Sequence, residues 1–526
     1  MSASASRHGQ STPHRVAAPF TRRSLFTLAA AGIGQGGAAN AASRDQLTYG
    51  VHVSLAPGWF DPGEAAGIIT PYMLLYALHD AVVKAMPGDT QTPSLAESHT
   101  VSEDGLVHDF ILRRASFHNG EPVTSDDVRF SFERYRGASQ SLLKQRVAAV
   151  ETPDPQRIRF RLKEPWPDFL TFYAGVSGAA WIVPHKYLAQ VGDESFKKAP
   201  IGAGPYRFVS FTPGVELVLE AFDGYWRQPP KVKRLVMKVI PDEATRLAAL
   251  KRGEIDIAYS IRGELAGELE QTPGLSIKAV IVQGVFCVYF VDQWDAKSPW
   301  HEVRVRQAAK LAIDCKTIND ALTRGYSHVT GNPFVPDMFE FYWQPPAPVY
   351  DPAQAKQLLA AAGYPNGFDA GFYNCDSSYS NIAEAVINYW GEVGIRIKMR
   401  PMERAAYIKA FAEKQYRNVV QAGPAAFGNA ATRLESHAVT GGTFTYGSYP
   451  ELDELFRRQA GELDYRRREE LLHQMQQVVH DRAIYAPIWQ LAFLNGIGPR
   501  VAESGFGRIA GFPYTAPYDE LALKVG

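Results

Sequence analysis

Cysteine is scarce in this chain of 526 residues: Cys287, Cys315 and Cys375 are scattered, with no C-x-x-C spacing. Such a set excludes a disulfide scaffold and a thiolate metal site, and the odd count leaves at least one thiol unpaired in a monomer. Buried free thiols are the expected state. Long hydrophobic runs are missing as well. Beyond the first 41 residues no stretch approaches the roughly 18 uninterrupted apolar residues of a membrane span. The hydrophobic share is nevertheless 46%, enough for two or three lobes, each with its own core. No G-x-S-x-G, Walker loop or H-E-x-x-H is present, and the thirteen histidines stand singly. His473 and His480, seven apart on one helix, read as solvated surface rather than as a metal pair. Triads are assembled from residues far apart, so a hydrolase or metal enzyme stays open at this point.

Acidic residues are absent before Asp45, and Met1 to Ala41 carries only Arg7, Arg15, Arg22 and Arg23 as formal charges. Thr21-Arg22-Arg23-Ser24-Leu25-Phe26 reads as a twin-arginine export signal, followed by a weakly apolar Ala/Gly run and a small-residue cleavage site at Ala39-Asn40-Ala41. The competing reading is a basic tail with a chance arginine pair. Charge, apolar run and cleavage site in that order favour the signal, and with it a periplasmic destination. Without these residues 51 basic side chains face 55 acidic ones, a mildly acidic balance that excludes a nucleic-acid partner. Gly32-Ile33-Gly34-Gln35-Gly36-Gly37 matches G-x-G-x-x-G, but it lies in the segment to be removed and outside any βαβ unit, so it carries no dinucleotide site.

The most patterned stretch is Thr92 to Tyr135. Asp104-Gly105 and Asn119-Gly120 mark turns, residues 106–113 alternate as a strand, and Thr124 with Asp127 forms a capping box ahead of a helix that buries Val128, Phe132 and Tyr135. These pieces, namely Pro93 to Ser98, Ser102 to Gly105, Leu112-Arg113, Phe117 to Gly120 and Asp127-Val128, resemble the signature of the family 5 extracellular solute-binding proteins of ABC importers. Further matches follow at Pro200 to Phe208, with Ala203 where the family has Thr, at Phe222 to Trp226, at His301 to Cys315 and at Tyr350 to Gly363.

The resemblance implies an α/β fold of the periplasmic-binding-protein type II kind: two α/β lobes joined by a hinge, plus an inserted α+β subdomain. The expected division is 42–75, 199–280 and 488–526 for the first lobe, 76–198 for the insert and 281–487 for the second lobe. Two βαβ patterns agree with two lobes. One is Leu235 to Ile240, Pro241 to Leu250 and Ile255 to Ala258; the other is Ala370 to Asn374, Asn381 to Glu392 and Ile395 to Met399. Val285 to Val291 reads as a strand buried on both faces, and Arg466 to His480 as a long helix. Function then means capture of a small-molecule ligand between lobes and delivery to permease subunits by a monomer, with no cofactor. A chemosensory adaptor would look the same.

Peptide-binding members of the family place a Trp-x-x-Asp segment so that its carboxylate meets the ligand's α-ammonium group. Here Pro424 and Phe427 stand at those positions, which removes the counter-charge and points away from a plain peptide. Arg433 is suited to hold a carboxylate bidentately; the alternative is an internal ion pair, with Glu435 nearest in sequence. Trp59 and Phe60, beside a Leu-Asp-Pro type turn, are candidate ligand contacts or else loop aromatics packed on their own lobe. Tyr446, in the Gly441 to Tyr449 loop, and Trp489, on the return to the first lobe, complete the candidate set.

Overall fold

The computed structural model describes residues 44–64, 71–137, 139–174, 178–423 and 428–524. The export signal and cleavage site, Pro424 and Phe427 all lie outside the described residues.

An eleven-stranded sheet runs through both lobes. From one edge its order is Ile395–Met402, Phe368–Asp376, Val419–Ala422, Ser276–Tyr289, Tyr485–Ile497, Ile257–Ala258, Gln46–Val51, Arg234–Val239, Glu216–Ala221 and Tyr206–Thr212, with His328–Val329 paired beside Tyr485–Ile497. In the first lobe 46–51 pairs in parallel with both 234–239 and 257–258, so the helix Glu243–Lys251 crosses over a strand that lies between its neighbours. Leu47, Tyr49, Leu235 and Met237 face one core, while Leu247, Leu250, Ile255 and Ala258 fill another on the opposite side. Burial on both faces is what a parallel sheet requires. In the second lobe Phe368–Asp376, the helix Ser380–Glu392 and Ile395–Met402 form the expected second βαβ unit.

Two long strands join the lobes. Residues 276–281 pair with 497–492, the ladder breaks between Ile281 and Val285, and 285–289 then pair with 490–485 while 287–289 also pair with 422–420. The expected lobe boundaries at 280 and 487 fall inside these crossings. Phe286 and Val288 point into one second-lobe core and Cys287 and Tyr289 into the other, the period of two that a strand imposes. At the break Gly511 takes φ +79°, and a Cβ there would come within 2.0 Å of Gln283 Cγ, so the close approach requires glycine. The strand read from the apolar run Val285 to Val291 in fact begins nine residues earlier, because its first half alternates and was masked by polar Ser276, Lys278 and Gln283.

The insert carries the antiparallel order Ala96–Val101, Val107–Leu112, Arg157–Leu162, Val147–Asp154. Gly105 turns the first hairpin at φ +69°, and the capping box holds: Thr124 N donates to Asp127 Oδ2 at 2.8 Å. The stretch from His301 to Cys315 spans one helix and reaches the first residue of the next. Val303–Leu311 stops, and Asp314 Oδ1 accepts from Thr317 N at 2.9 Å to start Cys315–Thr323. All three cysteines are free and buried.

Deep in the first-lobe core sits an ion pair between Asp80 and Lys84, 0% and 2% exposed, at 2.7 Å. Four further donors converge on the carboxylate: Ala81 N at 2.8 Å and Ser94 Oγ at 2.7 Å on Oδ1, and Tyr225 Oη at 3.1 Å and Trp226 Nε1 at 2.7 Å on Oδ2. Lys84 Nζ lies 5.4 Å above the Tyr76 ring and 5.5 Å above that of Trp181.

Candidate functional site

Beside the crossing strands, on the wall of the second lobe, a cavity of about 190 Å³ is lined by Phe286, Asp376, Tyr379, Arg404, Gln421 and Arg433, among others. Arg433 stands on the helix Ala430–Ala438, whose first turn is fixed by Asn429: its Oδ1 accepts from Thr432 N at 3.2 Å, and Thr432 Oγ1 accepts from Asn429 N at 3.1 Å. Arg433 Nε donates to the Phe334 carbonyl at 3.0 Å, and Nη2 approaches His437 Nε2 at 3.4 Å. His437 Nδ1 lies 3.2 Å from the Arg433 carbonyl, so the tautomer that donates there leaves Nε2 as the acceptor. Burial, and then the Arg433 charge, hold this imidazole well below its ordinary range, so it stays neutral.

Arg433 therefore has no counter-charge. Among the described residues its ionisable neighbours are Cys287 and Tyr485, no carboxylate forms an ion pair with it, and desolvation lowers the guanidinium to about 10. Other buried arginines in this protein behave differently. Arg246 donates to the carbonyls of Tyr259, Ile240, Pro241 and Ser260, and Arg306 to those of Trp300, His301, Arg482 and Ala483. Those two are structural clasps with every nitrogen engaged; Arg433 Nη1 has no protein acceptor among the described residues. Glu435, the neighbour in sequence, is exposed.

The remaining charges of the cavity cancel. Arg404 Nη1 meets Asp376 Oδ2 at 2.8 Å, and Asp376 Oδ1 accepts from Ser378 N at 2.9 Å. The Tyr379 ring stands edge-on to Phe286 at 4.8 Å. Gln421 is fixed by the Tyr373 hydroxyl on its Oε1 at 3.1 Å, with Nε2 directed at the Tyr379 carbonyl at 3.3 Å. With one aspartate, two arginines and a neutral histidine, the lining carries one net positive charge. From the first lobe the charge of Arg262 reaches both Tyr379 and Tyr514.

Of the aromatic candidates among the described residues, none lines the cavity with Arg433. Phe60 is wholly buried, edge-on to Phe211 at 5.0 Å, as in the alternative of a loop aromatic packed on its own lobe, and Trp489 is wholly buried in a second-lobe core. An aromatic side chain on a strand or tight turn goes to the face that the sheet dictates, and sequence gives that face only when the register is known. Trp59 is half-buried against the first-lobe core. Tyr446 packs on Tyr289 at 5.7 Å, and its hydroxyl accepts from Tyr416 N at 3.1 Å. From the same loop it is Phe444 that reaches the cavity. Asp376, Tyr379, Arg404 and His437 were not singled out by sequence; the spacing of Arg433 and His437, four apart on one helix, was the available signal.

A second contact joins the insert to the second lobe. Arg468 Nη2 meets Asp168 Oδ2 at 2.6 Å with side chains 4% and 12% exposed, and Asn429 Nδ2 donates to Asp168 Oδ1 at 2.6 Å. The residue that caps the Arg433 helix is thus also bonded to the other side. Asp168→Ala is expected to favour an open arrangement of the lobes, raising the radius of gyration in small-angle X-ray scattering and weakening ligand affinity by about tenfold, the cost of a less populated competent state. An unchanged scattering curve would show that this bridge does not hold the lobes together.

The profile of the bacterial extracellular solute-binding proteins, family 5 Middle, matches residues 90–443. Heme-binding protein A of Haemophilus influenzae is 26% identical over 474 residues, 82% of this chain and 85% of the relative. The dipeptide-binding protein of Escherichia coli is 26% identical over 452 residues, 77% of this chain and 82% of the relative. Among solved structures, the binding protein AgaA from A. tumefacien R10, in complex with agropinic acid, superposes with a TM-score of 0.69 at 24% identity, covering 91% of this chain and 99% of that one. Fold, crossing strands and profile agree, and the chain belongs to the family 5 bacterial extracellular solute-binding proteins, the solute-capturing components of ABC importers.

Proposed function

We propose that the solute is a small molecule bearing one carboxylate, seated against Arg433, and not a peptide anchored by its α-ammonium group. The observation that carries this reading is a desolvated guanidinium that lines a cavity with one nitrogen and its whole charge unmatched. A carboxylate supplies both the acceptor and the missing charge, in the planar geometry that guanidinium prefers. The net charge of the lining calls for a single negative charge on the ligand. Family relatives carry names as different as heme-binding and dipeptide-binding, so the fold leaves the ligand open, and a neighbour that holds agropinic acid is consistent with an acid.

Capture needs no covalent step. The open form presents Arg433, ligand bridges the lobes, and the closed form gains population because only it touches ligand from both sides. A monomer then docks on permease subunits in the inner membrane. Export by the twin-arginine route and the assignment of 76–198 as an insert belong to the same reading.

Thermal unfolding against opines, organic acids, N-blocked and free di- to tetrapeptides, sugars and nickel chelates tests it. A ligand at about 100 times its dissociation constant adds roughly 2.7 kcal/mol of stability. Non-peptide monocarboxylates are expected to stabilise the protein. Stabilisation only by peptides with a free amino terminus would restore the ordinary peptide carrier, and turnover of an ester or glycoside probe, lost on mutation of one acidic or histidine residue, would favour an enzyme.

A further inference from the structure

A cavity roomier than the one at Arg433 lies elsewhere in the second lobe. A pocket of about 550 Å³ lies wholly in the second lobe, between the helices Val303–Leu311 and Pro352–Ala361, the end of Tyr465–Asp481 and the extended segment 346–349. That volume is in the range of small-molecule sites. Its lining joins apolar Leu311, Leu358, Pro346, Pro348 and Val349 to polar Gln307, Lys310, His480 and Asp481. The polar groups are only partly satisfied. Among the described residues Lys310 makes no hydrogen bond and no ion pair, and Asp481 is the one acid whose field reaches it. His480 Nδ1 is buried without a partner. Burial lowers the Lys310 ammonium to about 8, and burial with the Lys310 charge lowers the His480 imidazole; the Asp481 charge, and for His480 a backbone hydrogen bond with Gly331, offset this only in part.

We infer that this pocket is a second ligand site, separate from the cleft, and that it takes a small aliphatic or aromatic monocarboxylate with its acid on Lys310 and its apolar body against Leu311, Leu358 and the proline segment. The amphipathic lining selects the class: a sugar would leave the apolar residues unmatched, and the second charge of a dianion would face those residues or Asp481. Unlike the cleft ligand, this one needs no lobe movement, because every lining residue belongs to one lobe.

The test is isothermal titration of octanoate, below its micelle concentration, into the full mature chain. One binding event is expected. Lys310→Met should weaken it at least tenfold, Lys310→Arg should retain it within a few-fold, and Arg433→Ala should leave it in place. Failure of octanoate to bind, or loss of binding in Arg433→Ala with retention in Lys310→Met, would overturn the inference, the latter because the acid was then read at the cleft. Unfolding temperatures of the unliganded variants, expected to stay close to that of the parent, separate lost binding from lost fold. The cleft reading stands or falls on its own panel, whatever octanoate does here.

Discussion

Arg433→Met should bind the cleft solute far more weakly while the empty protein loses no stability. Truncating one partner of a desolvated, hydrogen-bonded charge pair costs about 2–5 kcal/mol, so the dissociation constant is expected to rise roughly 30-fold or more. The unliganded chain has the opposite interest. Its guanidinium is desolvated without a counter-charge, and replacing such a cation by an apolar side chain of similar length is neutral or stabilising. Weaker binding together with equal or higher denaturant resistance is a signature that a structural arginine does not give: Arg246→Met or Arg306→Met would strand four carbonyls and lower stability. Arg433→Lys should fall between, since the charge stays and the planar fork is lost. If Arg433→Met binds its ligand as the parent does, the anchor lies elsewhere.

Asp80→Ala is expected to be the most destabilising single change in the first lobe. It removes the ion-pair partner of Lys84 in a core where both side chains are enclosed, and it orphans the Tyr225, Trp226 and Ser94 donors at the same stroke. Breaking a buried pair from one side costs about 3–5 kcal/mol, measured as the fall in unfolding free energy in urea. The converse change is milder. Lys84→Met leaves Asp80 with four neutral donors, which still solvate the carboxylate, and the Tyr76 and Trp181 rings receive the thioether. The double variant should recover part of the loss, and equal costs for the two single variants would show that the lysine and the neutral donors matter alike.

Local chemistry was legible in the chain; long-range assembly was not. The turn at Gly105, the capping box at Thr124 and Asp127, and both βαβ units depend on residues a few positions apart, and they stand where the pattern puts them. The start of the helix Cys315–Thr323 was readable too, from Asp314 followed three residues on by Thr317. By contrast the cavity draws Phe286, Asp376, Arg404, Gln421 and Arg433 from five segments, and no spacing rule links them. Arg433 was found because its type and its place after a missing acid were unusual. The burial of Phe60 and Trp489 was not legible, because aromatic character does not say which face of a sheet a side chain takes. Asp168 and Arg468 lie 300 residues apart, and only the fold makes them a pair.

The place of the 485–497 strand sets a timetable. It lies between 276–289 and 257–258, in the middle of the sheet, yet it follows the other described strands of that sheet along the chain and is synthesised after them. Until it arrives the first lobe has an open edge at 257–258 and the second lacks the partner of 285–289, so neither half can be completed early. Most of the chain must wait as an unfinished polymer with exposed strand edges, the state in which long-range pairings form slowly and wrong ones compete. A nascent chain stopped before residue 485 should then yield no folded lobe at all, rather than one good lobe and one bad.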